Sequence, residues 1–115
     1  MKLLLAVIQP TKLNAVQQAL AKIGVDRMTV CDAQGYGRQR GQTATYRGME
    51  YKVHMLRKIS LEICVNDDMV EKTIDTISTV ARTGSTGNIG DGKIFVLPTE
   101  EIIADDGNRR GPAAV

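Results

Sequence analysis

The chain has 115 residues, of which 43% are hydrophobic and 24% are charged, and its formal net charge is +2. This size and composition fit one globular domain and leave no room for a second independent core. So small a net charge does not require nucleic acid or an anionic membrane as a partner. The opening apolar run stops at Gln9-Pro10 without a small-residue cleavage site, and no apolar stretch is long enough to span a bilayer. We therefore expect a soluble protein.

The first half of the chain predicts a strand, a helix and a second strand. Residues 2–8 are apolar on both faces, which is typical of a central strand that is covered on each side. We expect Thr11 to cap a helix after Pro10 and Gly24 to end it. The helix has an apolar stripe at spacings of three and four, formed by Leu13, Val16, Leu20 and Ile23. The second strand is predicted over residues 27–34.

The second half of the chain repeats this order. A third strand is predicted over residues 58–65, with one apolar face. Its other face is polar, with Lys58, Ser60, Glu62 and Cys64. Asn66 or Asp67 opens a second helix, and Gly84 follows its end. The buried stripe of this helix is predicted to be Val70, Ile74, Ile77 and Ala81. A last strand is predicted over residues 93–97.

The element order is therefore strand, helix, strand, strand, helix, strand. It predicts an α+β fold, a ferredoxin-like βαββαβ sandwich in a single domain over residues 1–115, with both helices on one face of an antiparallel sheet. Because the helices cover only one face while the first strand is apolar on both, the bare face predicts contact with other subunits. Residues 99–115 follow the last strand as a C-terminal tail.

A long loop between the second and third strands, residues 36–57, has no convincing period of either kind. Loops of this length in a compact domain are usually functional or disordered. The loop and its flanks contain six basic residues and only one acid, Glu50. The loop also contains every tyrosine of the chain, Tyr36, Tyr46 and Tyr51. Tyr and Arg are enriched at contact hot spots, so we predict a mobile arm that binds a partner or is modified. A merely solvated hairpin is the alternative.

Two glycine-rich turns leave the predicted sheet near strand ends. Gly90-Asp91-Gly92-Lys93 resembles a phosphate cradle, because glycines let backbone N–H groups approach an anion and the lysine adds a point charge. It is not a Walker A loop, since no Ser or Thr follows the lysine and the segment enters a strand. The first turn in chain order, Gly35-Tyr36-Gly37-Arg38-Gln39, lacks the third glycine of a dinucleotide fingerprint. If the turns converge, they surround a polyanion with Arg38, Lys58 and Lys93; otherwise they are two unrelated, solvated loops.

Catalytic and metal-binding sets are poorly supported by the sequence. His54 is the only histidine, and no obvious nucleophile or carboxylate accompanies it. Cys31 and Cys64 lack the CxxC spacing of zinc and redox sites, so they predict buried, reduced thiols in a reducing compartment, the cytoplasm. No spacing brings His54 and the cysteines together as metal ligands. We therefore do not expect an enzyme.

Three motifs together resemble one known family. They are Gly-Tyr-Gly-Arg-Gln-Arg-Gly at 35–41, Tyr-Arg-Gly-Met-Glu-Tyr at 46–51 and Gly-Asp-Gly-Lys-Ile-Phe-Val at 90–96. With the element order, they resemble the PII nitrogen-regulatory signal proteins over essentially the whole chain. The resemblance implies a homotrimer that binds ATP or ADP competitively in clefts between subunits, and a long loop that controls an ammonium transporter or a nitrogen-metabolism enzyme. It implies no nucleic-acid partner, and membrane contact only through a transporter.

The resemblance also implies roles for individual residues. Thr29 and Cys64 would lie at the adenine. The ribose and phosphates would contact residues of both glycine-rich turns, namely Gly37, Arg38, Gln39, Gly90, Asp91, Gly92 and Lys93. In the family, 2-oxoglutarate binds beside ATP through Mg²⁺, an ion that prefers hard oxygen ligands. Gln39 matches the position that completes the metal coordination, and Lys58 matches the position that holds a carboxylate.

The long loop keeps two functional positions of the family and changes a third. Arg47 matches the arginine that family members insert into an ammonium transporter, and Tyr51 matches the tyrosine that some bacteria uridylylate or adenylylate. Met49 stands where the family usually has alanine or serine. A serine-phosphorylation switch at this position is therefore excluded.

Two further departures lie near the tail. Residues 84–90 form a longer turn than the family usually has before its Gly-Asp-Gly-Lys motif. A gapless alignment of the tail puts Ala104 and Asp106 where two phosphate-binding arginines normally stand. We therefore expect weaker ATP binding, or less discrimination between ATP and ADP, unless Arg109 or Arg110 folds back into the vacant place or the longer turn at 84–90 supplies extra backbone donors.

Two alternatives to the leading interpretation stay open. One is a diverged PII-like sensor that responds to ADP, AMP or another small anion. The other comes from a different class, an RNA-binding module on a ferredoxin-like sheet. Such modules use an exposed aromatic platform, and Phe95 is the only aromatic residue in a predicted strand.

Overall fold

A computed structural model describes residues 1–35, 43–46, 49–52, 56–84, 87 and 91–115; segments 43–46 and 49–52 are described by their backbone alone. The described residues form, in chain order, the strands β1 (Lys2–Ile8), β2 (Thr29–Gly35), β3 (Thr43–Tyr46), β4 (Met49–Lys52), β5 (Leu56–Val65) and β6 (Gly92–Pro98). They also form the helices α1 (Leu13–Lys22) and α2 (Val70–Ala81). Four strands make an antiparallel sheet in the order β2-β5-β1-β6.

This architecture confirms the predicted α+β, ferredoxin-like βαββαβ arrangement. β1 lies between β5 and β6 and pairs with both along its whole length, so it is the central strand that residues 2–8 predict, and the helices cover its face with Leu4, Ala6 and Ile8. The prediction of no secondary structure between β2 and β5 is wrong in part, because β3 and β4 pair as an antiparallel hairpin with Thr43 opposite Lys52. Strands of four residues are too short for their period to stand out in a sequence.

The core lies between the sheet and the two helices. Side chains with no exposed surface include Leu4, Ala6, Val16, Leu20, Leu61 and Ile63. The stripe predicted for α2 is wrong at one position, because Thr73 is fully buried whereas Ile74 is only partly buried. Thr73 is tolerated in the core since its hydroxyl donates to the Met69 carbonyl oxygen at 2.7 Å.

Each α-helix is preceded by a single 3-10 turn, so the two halves of the fold begin their helices alike. The first turn covers Pro10–Lys12, with Gln9 in the extended capping conformation. The prediction that Thr11 caps α1 is therefore wrong. Pro10 fixes the backbone at the first helical position and moves the cap to the preceding residue. The second turn covers Asp67–Met69 and has Asn66 at its cap, as predicted.

The face of the sheet opposite the helices carries apolar side chains on β1 and β6, beside the polar side chains of β5. Leu5 pairs with Phe95 and Leu3 pairs with Leu97, so these four side chains share that face. Phe95 is 48% exposed and Leu97 is 40% exposed. We call this surface the bare face. Among the described residues, no helix has the length and apolar character needed to cross a bilayer.

Candidate functional site

Most of the described candidate residues lie at one end of the sheet, where β1 and β2 finish and β5 and β6 begin. Ile8, the last residue of β1, pairs with both Gly92 and Ile59. This register brings Lys58 close to the second glycine-rich turn. We call this end of the sheet the loop edge. A cavity of about 280 Å³ opens here, lined in part by Arg82, Asp91, Gly92 and Lys93.

Gly92 is required by the backbone geometry of the loop edge. Its φ of +130° lies in a region that residues with a side chain rarely adopt. A Cβ at this position would lie only 1.8 Å from the Val7 carbonyl oxygen. The glycine therefore allows β6 to begin in close contact with β1. This structural role does not depend on any role in ligand binding.

Asp91 is held at the loop edge by donors from two other elements. The backbone N–H of Thr83 donates to Asp91 Oδ2 at 2.7 Å, and the Thr83 hydroxyl donates to Oδ1 at 2.6 Å. Gln9 Nε2 also donates to Oδ1, at 3.1 Å. Sequence reasoning missed Thr83 and Gln9. The available signal was their location, since each directly follows a predicted element and precedes a turn.

Lys58 is buried, although the sequence predicted it on the polar face of its strand. Its relative exposure is 6%, whereas its neighbour on the same face, Ser60, is partly exposed and Glu62 is exposed. Burial holds the pKa of the Lys58 ammonium below its ordinary value, and the negative charge of Asp91 acts in the opposite direction. A desolvated cation of this kind gains strongly from an anionic partner.

Gly35 makes room for the stem of Lys58. A Cβ on Gly35 would lie 3.1 Å from Lys58 Cγ and 3.3 Å from Cε, closer than side chains normally pack. This glycine is therefore explained by the lysine that lies across it. The ammonium group of Lys93 lies over an aromatic ring, with its Nζ 5.9 Å from the centre of the Phe95 ring.

Thr29 and Cys64, the predicted adenine residues, lie at the opposite end of the sheet. Thr29 begins β2 and pairs with Glu62, and Cys64 pairs with Leu3 near the start of β1. Along β5, Lys58 and Cys64 are separated by roughly 20 Å at the usual rise of a strand. A single nucleotide contacts both groups only if it lies extended along the sheet or if a second copy supplies one of them.

The two cysteines are free thiols, as predicted, but both are partly exposed rather than buried. Cys31 donates to Glu62 Oε1 at 3.6 Å. Desolvation, followed by the nearby Glu62 and Asp32 charges, raises the pKa of the Cys31 thiol. This environment keeps the thiol protonated and therefore weakly reactive.

Several predicted site residues lie outside the described part of the chain. Gly37, Arg38, Gln39, Arg47 and Gly90 belong to this group, and so does His54. The backbone of Tyr51 is described as part of β4. The ligand and partner roles predicted for these residues stay predictions. The same holds for the ligand roles predicted for the described candidates.

The C-terminal tail folds into a small hairpin in which Ile103 bridges to Arg110. Asp106 Oδ1 accepts the backbone N–H groups of Asn108 at 2.9 Å and Arg109 at 3.4 Å, and these bonds lower the pKa of the Asp106 carboxyl. Both nearby arginines form ion pairs: Arg109 with Asp106 at 3.4 Å and Arg110 with Glu101 at 2.6 Å. Two of the four acids of the tail, Asp106 and Glu101, are thus the partners of its two arginines.

The tail also lines a cavity of about 470 Å³ at the end of the sheet that carries Cys64. Its lining includes Arg27, Cys64, Asn66, Arg109 and Val115. The side-chain oxygen of Asn66 is buried and has no hydrogen-bond partner among the described residues. Across the described part of the chain, no three His, Cys, Asp or Glu side chains are grouped closely enough to hold a metal ion.

Comparison with known proteins gives consistent matches. The family model for nitrogen regulatory protein P-II matches residues 1–104. Nitrogen regulatory protein GlnK1 of Methanosarcina mazei is 49% identical over 115 residues, which cover 100% of this chain and 97% of that protein. Nitrogen regulatory protein P-II of Klebsiella oxytoca and P-II 1 of Escherichia coli are each 50% identical over 103 residues, covering 90% of this chain and 89% of theirs.

Proposed function

This chain belongs to the nitrogen regulatory protein P-II family, and from that premise we propose that it is a cytoplasmic signal protein that binds ATP or ADP. The observation that carries the proposal is the strand register, which brings Lys58, Lys93 and Gly92 to the same end of the sheet, the loop edge. Backbone amides of a glycine-rich turn, with two lysines nearby, favour a polyphosphate. The ribose and phosphates bind Gly37, Arg38 and Gln39 of the first turn and Gly90 to Lys93 of the second.

We further propose 2-oxoglutarate as the effector, with Lys58 as its carboxylate partner. The buried ammonium supports this role because a charge-assisted bond is stronger where water is excluded. The described residues provide no three-ligand metal site. Gln39 would hold Mg²⁺ together with the nucleotide phosphates, and the ion would supply a positive charge for anion binding.

A homotrimer completes the proposed site. Thr29 and Cys64 lie far from the loop edge of their own chain, so a neighbouring copy offers a way to bring adenine and phosphate groups to one nucleotide. The bare face, with Phe95 and Leu97 exposed, supports subunit contact. Light scattering is expected to report a trimer, and a monomer at micromolar concentration would contradict this assembly.

The long loop is the proposed output element. Arg47 and Tyr51 would contact an ammonium transporter or a nitrogen-metabolism enzyme, and Tyr51 would be the modification site. Because Gln39 and Arg47 belong to the same loop, ligand occupancy would select among loop states by its different affinity for each.

Calorimetric titration with ATP, ADP and AMP, each with and without Mg²⁺ and 2-oxoglutarate, tests the proposal. We expect ATP and ADP to bind, and 2-oxoglutarate to bind only with ATP and Mg²⁺ present. Lys58→Met is expected to abolish the 2-oxoglutarate effect, while the matched variant of an exposed lysine on α2, Lys72→Met, retains it. Absence of any nucleotide binding would contradict the proposed function.

A diverged sensor of ADP, AMP or another small anion is the second candidate. One observation favours it: Ala104 and Asp106 replace the expected arginines, and Asp106 brings a negative charge held ionised by backbone bonds. Each charge-assisted phosphate contact contributes about 1.5–3 kcal/mol, so losing two weakens ATP binding substantially. Replacing Ala104 and Asp106 by arginine should tighten ATP binding, and unchanged affinity would show that the tail arginines are not needed.

A further inference from the structure

The carboxylate of Asp91 is placed to organise the loop edge. It accepts hydrogen bonds from Thr83, which follows α2, and from Gln9, which follows β1. It also lies against Gly87, since a Cβ on that residue would come within 3.2 Å of Asp91 Oδ2. One side chain thus connects a helix end, a strand end and the turn that precedes β6.

Direct contact between this carboxylate and a bound anion is unfavourable for two reasons. Oδ1 already accepts two hydrogen bonds, which uses the acceptor capacity of a carboxylate oxygen. A negative side chain beside phosphate also raises the free energy of the complex, because like charges repel. The location of Asp91 within a phosphate-binding motif therefore needs another explanation.

We propose that Asp91 is a positioning residue for anion binding: its carboxylate holds the glycine-rich turn in place through Thr83 and Gln9 and does not contact the anion, so any contact that Asp91 makes is through its backbone. This inference rests on the proposed nucleotide-binding function of the loop edge. The lysines and the backbone amides of the turn attract the phosphates. The Asp91 carboxylate keeps those amides in position. Donors that are already fixed in position bind an anion more tightly, because the protein loses less conformational entropy when the anion binds.

The partners of Asp91 allow geometry to be separated from charge. An asparagine at this position keeps one acceptor oxygen for the Thr83 N–H and presents an NH₂ group on the other side. The Thr83 hydroxyl can rotate to accept from that group, and the Gln9 amide can flip to do the same. Asp91→Asn therefore preserves the three hydrogen bonds and removes the negative charge that acts on Lys58, whereas Asp91→Ala removes both.

The experiment is calorimetric titration of the full chain and its variants with ATP and with ADP. We expect Asp91→Ala to weaken binding by about tenfold or more, as for loss of hydrogen bonds to a charged group. Asp91→Asn should restore affinity to within about threefold of the original protein. Thr83→Val, which removes one donor without touching Asp91, should weaken binding to an intermediate extent. Asp75→Ala and Thr79→Val, both exposed on α2, are the matched controls.

Two results would overturn the proposal. If Asp91→Asn weakens binding as much as Asp91→Ala while Thr83→Val has no effect, the negative charge of Asp91 matters, through the ligand or through Lys58, and its hydrogen bonds do not. If Asp91→Ala binds as well as the original protein, the connections do not matter. Should Asp91→Ala fail to fold, Thr83→Val and Asp91→Asn still decide between these outcomes.

Hydrogen exchange at the Thr83 amide distinguishes failure of this inference from failure of the proposed function. That N–H donates to Asp91 Oδ2, so its protection in the ligand-free protein should fall in Asp91→Ala and persist in Asp91→Asn. If the protein binds neither nucleotide and the exchange pattern holds, the nucleotide proposal fails while the positioning role stands. If the amide is equally protected in both variants, the positioning role fails.

Discussion

Replacing Gly92 by alanine is expected to separate β6 from β1 at the loop edge. The new Cβ would lie 1.8 Å from the Val7 carbonyl oxygen, and contacts under 3.0 Å essentially never occur, so the strands must move apart by at least 1.2 Å (3.0 minus 1.8). The positive φ adds about 1–3 kcal/mol, and each ladder hydrogen bond lost adds about 0.5–1.5 kcal/mol. We therefore expect the free energy of unfolding to fall by about 3 kcal/mol or more.

Chemical denaturation followed by circular dichroism measures this loss. Gly107→Ala is the matched control, because its φ is also positive at +72° while an added Cβ would meet no described atom within 4 Å. We expect the control to lose only about 1–2 kcal/mol, the cost of the backbone conformation. Equal losses in the two variants would refute the argument that Gly92 is fixed by its contact with β1.

Three further predictions concern Lys58 and the bare face. Gly35→Ala should displace the Lys58 stem, because its Cβ would lie 3.1 Å from Cγ, and calorimetry should show weaker 2-oxoglutarate binding with little change in stability. The Lys58 pKa lies below its unfolded value, so the cost of its burial is present at neutral pH and is relieved as the pH rises through the folded pKa towards 10.5. Lys58→Met should therefore be more stable than the original protein at neutral pH, with the difference shrinking at high pH; a constant difference in denaturation midpoints would contradict this. Phe95→Glu should weaken subunit association by placing a charge on the bare face, and an unchanged mass by light scattering would exclude that face from the interface.

The period of the apolar residues was enough to predict most of the fold. Residues 3–8 are apolar without interruption, and residues 59–65 alternate, so the sequence alone identified a central strand and a half-covered neighbour. Local signals have limits even here. Thr11 has the right chemistry for a cap, but Pro10 displaces the cap to Gln9, and the buried Thr73 is found only because a Met69 carbonyl accepts its hydroxyl.

The candidate site also has a part that the sequence predicts and a part that depends on the tertiary structure. Composition and motif spacing are sufficient to predict the two glycine-rich turns, Lys58 and Lys93 as anion-binding candidates, because glycine and lysine have a direct chemical relation to phosphate. Burial of Lys58 could not be predicted from its place in an alternating strand, since Gly35 on a neighbouring strand provides the space for its stem.

The order of the elements and the set of residues able to bind an anion are therefore properties of the sequence, because both follow from chemistry repeated at short spacing. Which distant residues meet depends on the tertiary structure. Gln9 and Asp91 are 82 positions apart and bond only because β1 ends where β6 begins. Thr29 and Cys64, which the family resemblance assigns to the same nucleotide as the glycine-rich turns, lie at the other end of the sheet, because antiparallel register fixes where along a strand each residue lies.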